Sequence, residues 1–167
     1  MPILDERNLE FLSLSPEQTR RLGVRLGELL KPGDLICLAG DLGSGKTTLT
    51  QGIASGWGSL DQVTSPTFVL INEYRRADAT RLYHFDAYRL AGIEEAEILG
   101  LPDLLEQEGP LIIEWPERIA KALPEERLWI SLRWVDDSRR GLFFEAIGIR
   151  YERLLRKFRQ AAFGGAS

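Results

Sequence analysis

The run Gly40-Asp41-Leu42-Gly43-Ser44-Gly45-Lys46-Thr47-Thr48 constrains this chain more than any other feature. It carries the full G-x-x-x-x-G-K-[ST] pattern. A short apolar run, Asp34 to Ala39, precedes it, and a segment that reads as helix to about Trp57 follows. Unobstructed backbone N–H groups at a helix N-terminus form a ready anion site. Gly40, Gly43 and Gly45 let the backbone curl and come close to phosphate oxygens. The loop from Asp41 to Gly45 is therefore expected to bind a nucleoside triphosphate, with Lys46 as a point charge between the β- and γ-phosphates. Thr47 offers a hydroxyl to Mg²⁺, and Thr48 is placed to reach an α-phosphate.

The rest of the chain alternates in a way that suits this loop. Leu9 to Leu14 reads as a strand, and Ser15-Pro16-Glu17-Gln18 as a helix start with a capping box. Leu22, Leu26, Leu29 and Leu30 then fall on one helical stripe, ended by Pro32-Gly33. Strands are expected at Phe68 to Arg75, Arg81 to Asp86 and Leu111 to Glu114, with a Glu-rich helical stretch over about Ile93 to Gln107. Leu128 to Trp134 and Leu142 to Ile147 flank an Asp-Asp-Ser-Arg-Arg-Gly turn, and a last helix carries Tyr151, Leu154, Leu155 and Phe158. The pattern predicts an α/β fold of the P-loop NTPase-like kind. Its expected form is a three-layer sandwich: a largely parallel central sheet with an antiparallel C-terminal hairpin, and helices on both faces. One P-loop domain is expected over residues 1–163, with 164–167 as a disordered tail.

Composition narrows the class. The chain has 167 residues, of which 44% are hydrophobic and 28% charged, as in a folded soluble protein. A net charge of −4 argues against a protein whose main business is coating nucleic acid. Cys37 is the one cysteine, so no internal disulfide is possible, and its place in a buried strand reads as core packing. No apolar run approaches the ~18 residues of a membrane span. The N-terminal stretch lacks the basic flank and apolar run of a signal peptide. A cytoplasmic protein with no membrane association is expected. Trp57, Trp129 and Trp134 are expected in or partly in the core. Arg150, Arg153, Arg156, Lys157 and Arg159 make the last helix basic, either as a solvated face or as a local contact to tRNA or a partner.

Further residues have the chemistry a triphosphate site needs. No Asn/Thr-Lys-x-Asp segment of the guanine-reading kind follows the loop, which favours ATP. A carboxylate is needed to hold Mg²⁺ or to orient water, and Glu114 ends a buried strand where an open α/β sheet places its site. In Tyr83-His84-Phe85-Asp86-Ala87-Tyr88-Arg89, His84 and Asp86 share one face of a strand. Asp86 is the stronger candidate, because a lone histidine is more often structural. The hydroxyl-rich Thr64-Ser65-Pro66-Thr67-Phe68 sits where switch loops sense a γ-phosphate.

Together these segments resemble the bacterial TsaE (YjeE) ATPase family. The matching residues are GDLGSGKTT (Gly40 to Thr48), SPTF (Ser65 to Phe68), HFDAYRL (His84 to Leu90) and EWPER (Glu114 to Arg118), with SPEQT (Ser15 to Thr19) and the hairpin Arg139 also similar. Ser44 and Ala87 stand where the family more often has Ala and a larger apolar residue.

The resemblance implies MgATP binding and slow hydrolysis that supports threonylcarbamoyl transfer to N6 of adenosine 37 in tRNAs reading ANN codons. It implies TsaB and TsaD as partners. It assigns catalytic roles to Lys46, Asp86, Glu114 and Thr67, metal binding to Thr47 and Glu114, and places near the nucleotide to Trp115, Arg139 and Thr19. Arg89, Arg118 and Arg139 are candidates for an arginine that meets transition-state charge. Two other readings of the loop stay open: a small-molecule kinase, and a nucleotide-gated binding module with little turnover.

Overall fold

The computed structural model describes residues 5–63 and 70–164. Its strands form one seven-stranded sheet in the order β1-β7-β6-β2-β5-β4-β3. They are β1 (Asn8–Ser13), β2 (Leu35–Ala39), β3 (Ile71–Arg75), β4 (Arg81–Asp86), β5 (Leu111–Glu114), β6 (Arg127–Trp134) and β7 (Arg140–Ile147). The helices are α1 (Pro16–Gly27), α2 (Lys46–Trp57), α3 (Ile93–Ile98), α4 (Leu101–Leu105) and α5 (Ile149–Phe163). The middle of the sheet, β6-β2-β5-β4, is parallel. β7 and β1 extend it antiparallel on one side, and β3 does so on the other. The expected C-terminal hairpin is β6–β7, and β3–β4 is a second hairpin beyond the sequence reading.

Leu35, Ile36, Cys37 and Leu38 are consecutive residues of β2 and all are buried. Consecutive strand residues point to opposite faces, so both faces of the sheet are covered. α5 lays Leu154, Leu155 and Phe158 on one of them, with the Phe158 ring 5.1 Å from that of Phe144. The backbone N–H of Leu35 donates to Tyr151 Oη at 2.8 Å, and Arg150 grips Asp34 through two nitrogens at 2.6 and 2.9 Å. Part of the basic face of α5 is therefore engaged within the fold. Arg156 pairs with Glu6, and Arg159 donates to the carbonyls of Asp5 and Asn8.

α1 starts as its sequence requires: Ser15 Oγ accepts from Gln18 N–H at 3.1 Å, with Pro16 in the first turn. Gln18 closes the cap one residue early, accepting from the N–H of Leu14. α1 then packs on α2 with almost no side chain between them. A Cβ on Gly27 would lie 2.0 Å from the Ile53 carbonyl oxygen, and one on Gly52 would lie 2.1 Å from that of Arg20. This backbone-to-backbone seat fixes α2, whose first residue is Lys46.

Three details depart from the sequence reading. The stretch Ile93 to Gln107 is two short helices, because Gly100 takes a left-handed φ of +97° and Pro102 opens a new turn. Trp134 ends its strand beside the hairpin turn and is 56% exposed, whereas Trp57 is buried. β3 begins at Ile71. The Thr64 to Phe68 loop with Thr67 lies outside the described residues, as do 165–167 of the expected tail. No described helix is long and apolar enough to cross a membrane.

Candidate functional site

Adjacent parallel strands bring their C-terminal ends to one place. Leu38 near the end of β2 pairs with Glu114 at the end of β5, and Glu114 pairs with Asp86 at the end of β4. The loop from Gly40 to Gly45 leaves β2 there and enters α2. Gly40 has φ +153°, and a Cβ on it would sit 2.5 Å from the Leu132 carbonyl oxygen. The loop can pass over β6 that closely only as glycine.

Lys46 turns back over this loop. Its ammonium donates to the carbonyls of Gly40 and Asp41, the latter at 3.2 Å, and lies 4.3 Å from the centre of the Trp115 ring. The residue is buried, and burial lowers the ammonium pKa against the raising pull of Glu114, Glu117, Asp86 and Asp41. Trp115 follows Glu114 with a left-handed backbone, φ +57° and ψ +46°, directly before Pro116. Both bulk and a following proline disfavour that conformation, which costs on the order of 1–3 kcal/mol. It swings the indole back beside the loop, where it packs against Tyr88 with ring centres 4.9 Å apart and planes tilted by 44°. Arg118 lies over both rings, at 5.5 Å from Tyr88 and 5.8 Å from Trp115.

The carboxylates differ in their surroundings. Asp86 accepts from the N–H of Tyr88 at 2.9 Å, and burial foremost raises its pKa, with the negative Glu114 adding to the rise. Glu114 is 5% exposed, and its Oε2 lies 2.8 Å from Nε2 of His84.

These groups surround a cavity of about 450 Å³ lined by the loop from Asp41 to Gly45, Lys46, Thr47, Thr48, Asp86, Tyr88, Arg89, Glu114, Trp115 and Arg140. Every site residue expected from the sequence is here except Thr67, which lies outside the described residues, Arg118, which lies over the Tyr88 and Trp115 rings, and Thr19 and Arg139. Thr19 is buried at the start of α1, its hydroxyl 2.7 Å from that of Ser13. Arg139 turns to its own hairpin and pairs with Asp136 at 2.6 Å. The neighbouring Arg140 reaches the loop instead, donating through Nε to the Gly43 carbonyl at 3.1 Å. The turn composition shows a hairpin but not which arginine points inward; that depends on β6–β7 register.

The family model described as "Threonylcarbamoyl adenosine biosynthesis protein TsaE" matches residues 13–142. The chain belongs to the TsaE family. It is 40% identical over 148 residues to the tRNA threonylcarbamoyladenosine biosynthesis protein TsaE of Bacillus subtilis, covering 89% of this chain and 92% of that one. It is 46% identical over 122 residues to the protein of that name from Streptomyces coelicolor, covering 71% and 82%. The crystal structure of Bacillus subtilis YdiB superposes with a TM-score of 0.77 at 36% identity, over 92% of this chain and 95% of that chain.

The residues also fit a magnesium ion. No cluster of three or more His, Cys, Asp or Glu that could hold a metal occurs among the described residues. Mg²⁺ needs only one or two carboxylates where phosphates and water fill the remaining positions. Asp86, Glu114 and the Thr47 hydroxyl line the same cavity.

Proposed function

We propose that this chain binds MgATP in the loop cavity and hydrolyses it in support of threonylcarbamoyl transfer to N6 of adenosine 37 in tRNAs reading ANN codons. It acts in the cytoplasm on a TsaB–TsaD pair. The observation that carries this reading is the single cavity in which the TsaE-family loop, Lys46, Asp86, Glu114 and Trp115 meet.

The work of the residues follows from their chemistry. Loop amides and Lys46 neutralise the β- and γ-phosphates, after Lys46 gives up the Gly40 and Asp41 carbonyls. Thr47 and Glu114 would hold Mg²⁺, which when bound supplies further charge neutralisation on the phosphate oxygens. Asp86, set beside Glu114, orients the attacking water together with Thr67. Trp115 and Tyr88 wall the cavity and exclude bulk water. No covalent step is required; positioning and electrostatics carry phosphoryl transfer.

The test is ATP hydrolysis with Mg²⁺ by the purified chain, alone and then with TsaB and TsaD. Stimulation by the pair is expected, and Lys46→Ala is expected to abolish turnover. Full turnover by Lys46→Ala would remove the site assignment. Equal and substantial turnover with and without the pair would favour a stand-alone NTPase or kinase.

A further inference from the structure

His84 is a lone histidine on a sheet, and in the structure it has a partner at each ring nitrogen. Nδ1 is 2.9 Å from the Tyr74 hydroxyl, and Nε2 is 2.8 Å from Glu114 Oε2. Tyr74, His84 and Glu114 are 4%, 2% and 5% exposed.

Strand register explains the line they form. Tyr74 of β3 pairs with Leu82, two residues before His84, and His84 of β4 pairs with Ile112, two residues before Glu114. Each step therefore joins diagonal neighbours on one face, within reach of long side chains. The line runs from the sheet edge to the end of β5.

The donors follow from chemistry. A carboxylate only accepts, so the ring proton sits on Nε2. In the tautomer that carries its proton on Nε2, Nδ1 accepts and the Tyr74 hydroxyl donates. Glu114 thereby has one oxygen tied by a buried donor that cannot rotate away while Tyr74 holds the ring. Glu114 itself lines the cavity.

We infer that His84, locked by Tyr74, is a positioning residue that presents Glu114 in the one orientation suited to a magnesium–phosphate ligand. This rests on the reading of the cavity as a MgATP site. It goes further by assigning work to two buried residues that touch neither phosphate nor metal. Groups that orient a metal ligand commonly matter about 10- to 100-fold in metal affinity or activity.

The experiment measures nucleotide affinity with and without Mg²⁺ by calorimetry, and the Mg²⁺ concentration for half-maximal turnover. It uses the wild-type chain and His84→Ala, His84→Gln and Tyr74→Phe, each checked for its melting transition. His84→Ala is expected to weaken Mg²⁺-dependent affinity about 10- to 100-fold and leave metal-free nucleotide affinity unchanged. His84→Gln, whose amide reaches the Nε2 position, is expected to recover most of the loss. Tyr74→Phe, which deletes one hydroxyl and keeps the packing, is expected to lose less than His84→Ala and serves if that variant does not fold.

The chain has a single histidine, so its ¹⁵N ring signals need no assignment. They are expected to show the Nε2–H tautomer, with an Nδ1 shift that moves in Tyr74→Phe. A folded His84→Ala with wild-type Mg²⁺ dependence, equal losses in Ala and Gln, an unchanged Tyr74→Phe, or the Nδ1–H tautomer would each overturn the inference and leave the site standing. A wild-type chain that binds no nucleoside triphosphate with Mg²⁺ would overturn the reading of the site, and this inference with it.

Discussion

At the scale of single residues, desolvation raises the pKa of two groups, the buried Cys37 and the half-buried Asp86. Cys37 packs in the middle of β2, and burial pushes its thiol up to about 12. The thiolate is the reactive form, so the native chain should give no reaction with a disulfide reagent at pH 8 and one thiol after denaturation. Asp86 is also desolvated, and its raised pKa means the folded chain holds that proton more tightly than the unfolded chain does. Stability from this group therefore falls as pH rises from about 4 through the folded value, and stays lowered above it. Asp86→Asn keeps an oxygen for the Tyr88 N–H and removes the charge. Thermal melts at pH 7 without ligand should show a higher midpoint for this variant, while its ATP turnover is lost. A lower midpoint would mean that Asp86 serves the fold more than the site. That Lys46, Thr47, Glu114 and Asp86 line one cavity is legible in the sequence, because each sits in or ends a segment that an open α/β sheet brings to the same edge. His84 is visible there too, but its partners are not, since Tyr74 and Glu114 lie 10 and 30 residues away and meet it only through strand pairing.

Between elements, the determining feature is the seat of α1 on α2. Gly27 and Gly52 admit the facing carbonyls of Ile53 and Arg20 at distances no side chain allows. Gly52→Ala would gain about 1 kcal/mol of helix propensity in isolation. Here the added methyl meets backbone, so a net loss of about 1–3 kcal/mol is expected from overpacking. Denaturant melts would measure it, and a neutral or stabilising result would show that the helices can part without cost. This seat was hidden from a reading of leucine spacing. The stripe of Leu22, Leu26 and Leu30 identifies the buried side of α1 but not which residues touch backbone. The same limit explains the break at Gly100, where local backbone choice divides a segment with continuous helical composition.

For the whole molecule, strand–loop–helix order was enough to foresee a parallel α/β centre, because the loop motif demands a buried strand before it. The antiparallel flanks emerge only in the structure: β1 beside β7 joins residues distant in sequence, whereas β3 beside β4 is a local hairpin that strand spacing alone does not single out. A ligand that binds only the folded chain stabilises it by ~2.7 kcal/mol at a hundred times its Kd. For a chain of this size that corresponds to a rise in melting midpoint of roughly 5–10 °C with MgATP. Lys46→Ala should abolish the rise, and a rise that persists would place the nucleotide elsewhere.

The ammonium of Lys46 already has partners in the Gly40 and Asp41 carbonyls. On the proposed reading, an arriving nucleotide displaces an incumbent instead of meeting a bare charge. The exchange also filters by valence. Inorganic phosphate offers the lysine one anionic group but cannot span the loop, so the carbonyl oxygens lose their cation for little return. A triphosphate engages the lysine and the loop amides in one event, and only a ligand of that reach recovers what the loop gives up.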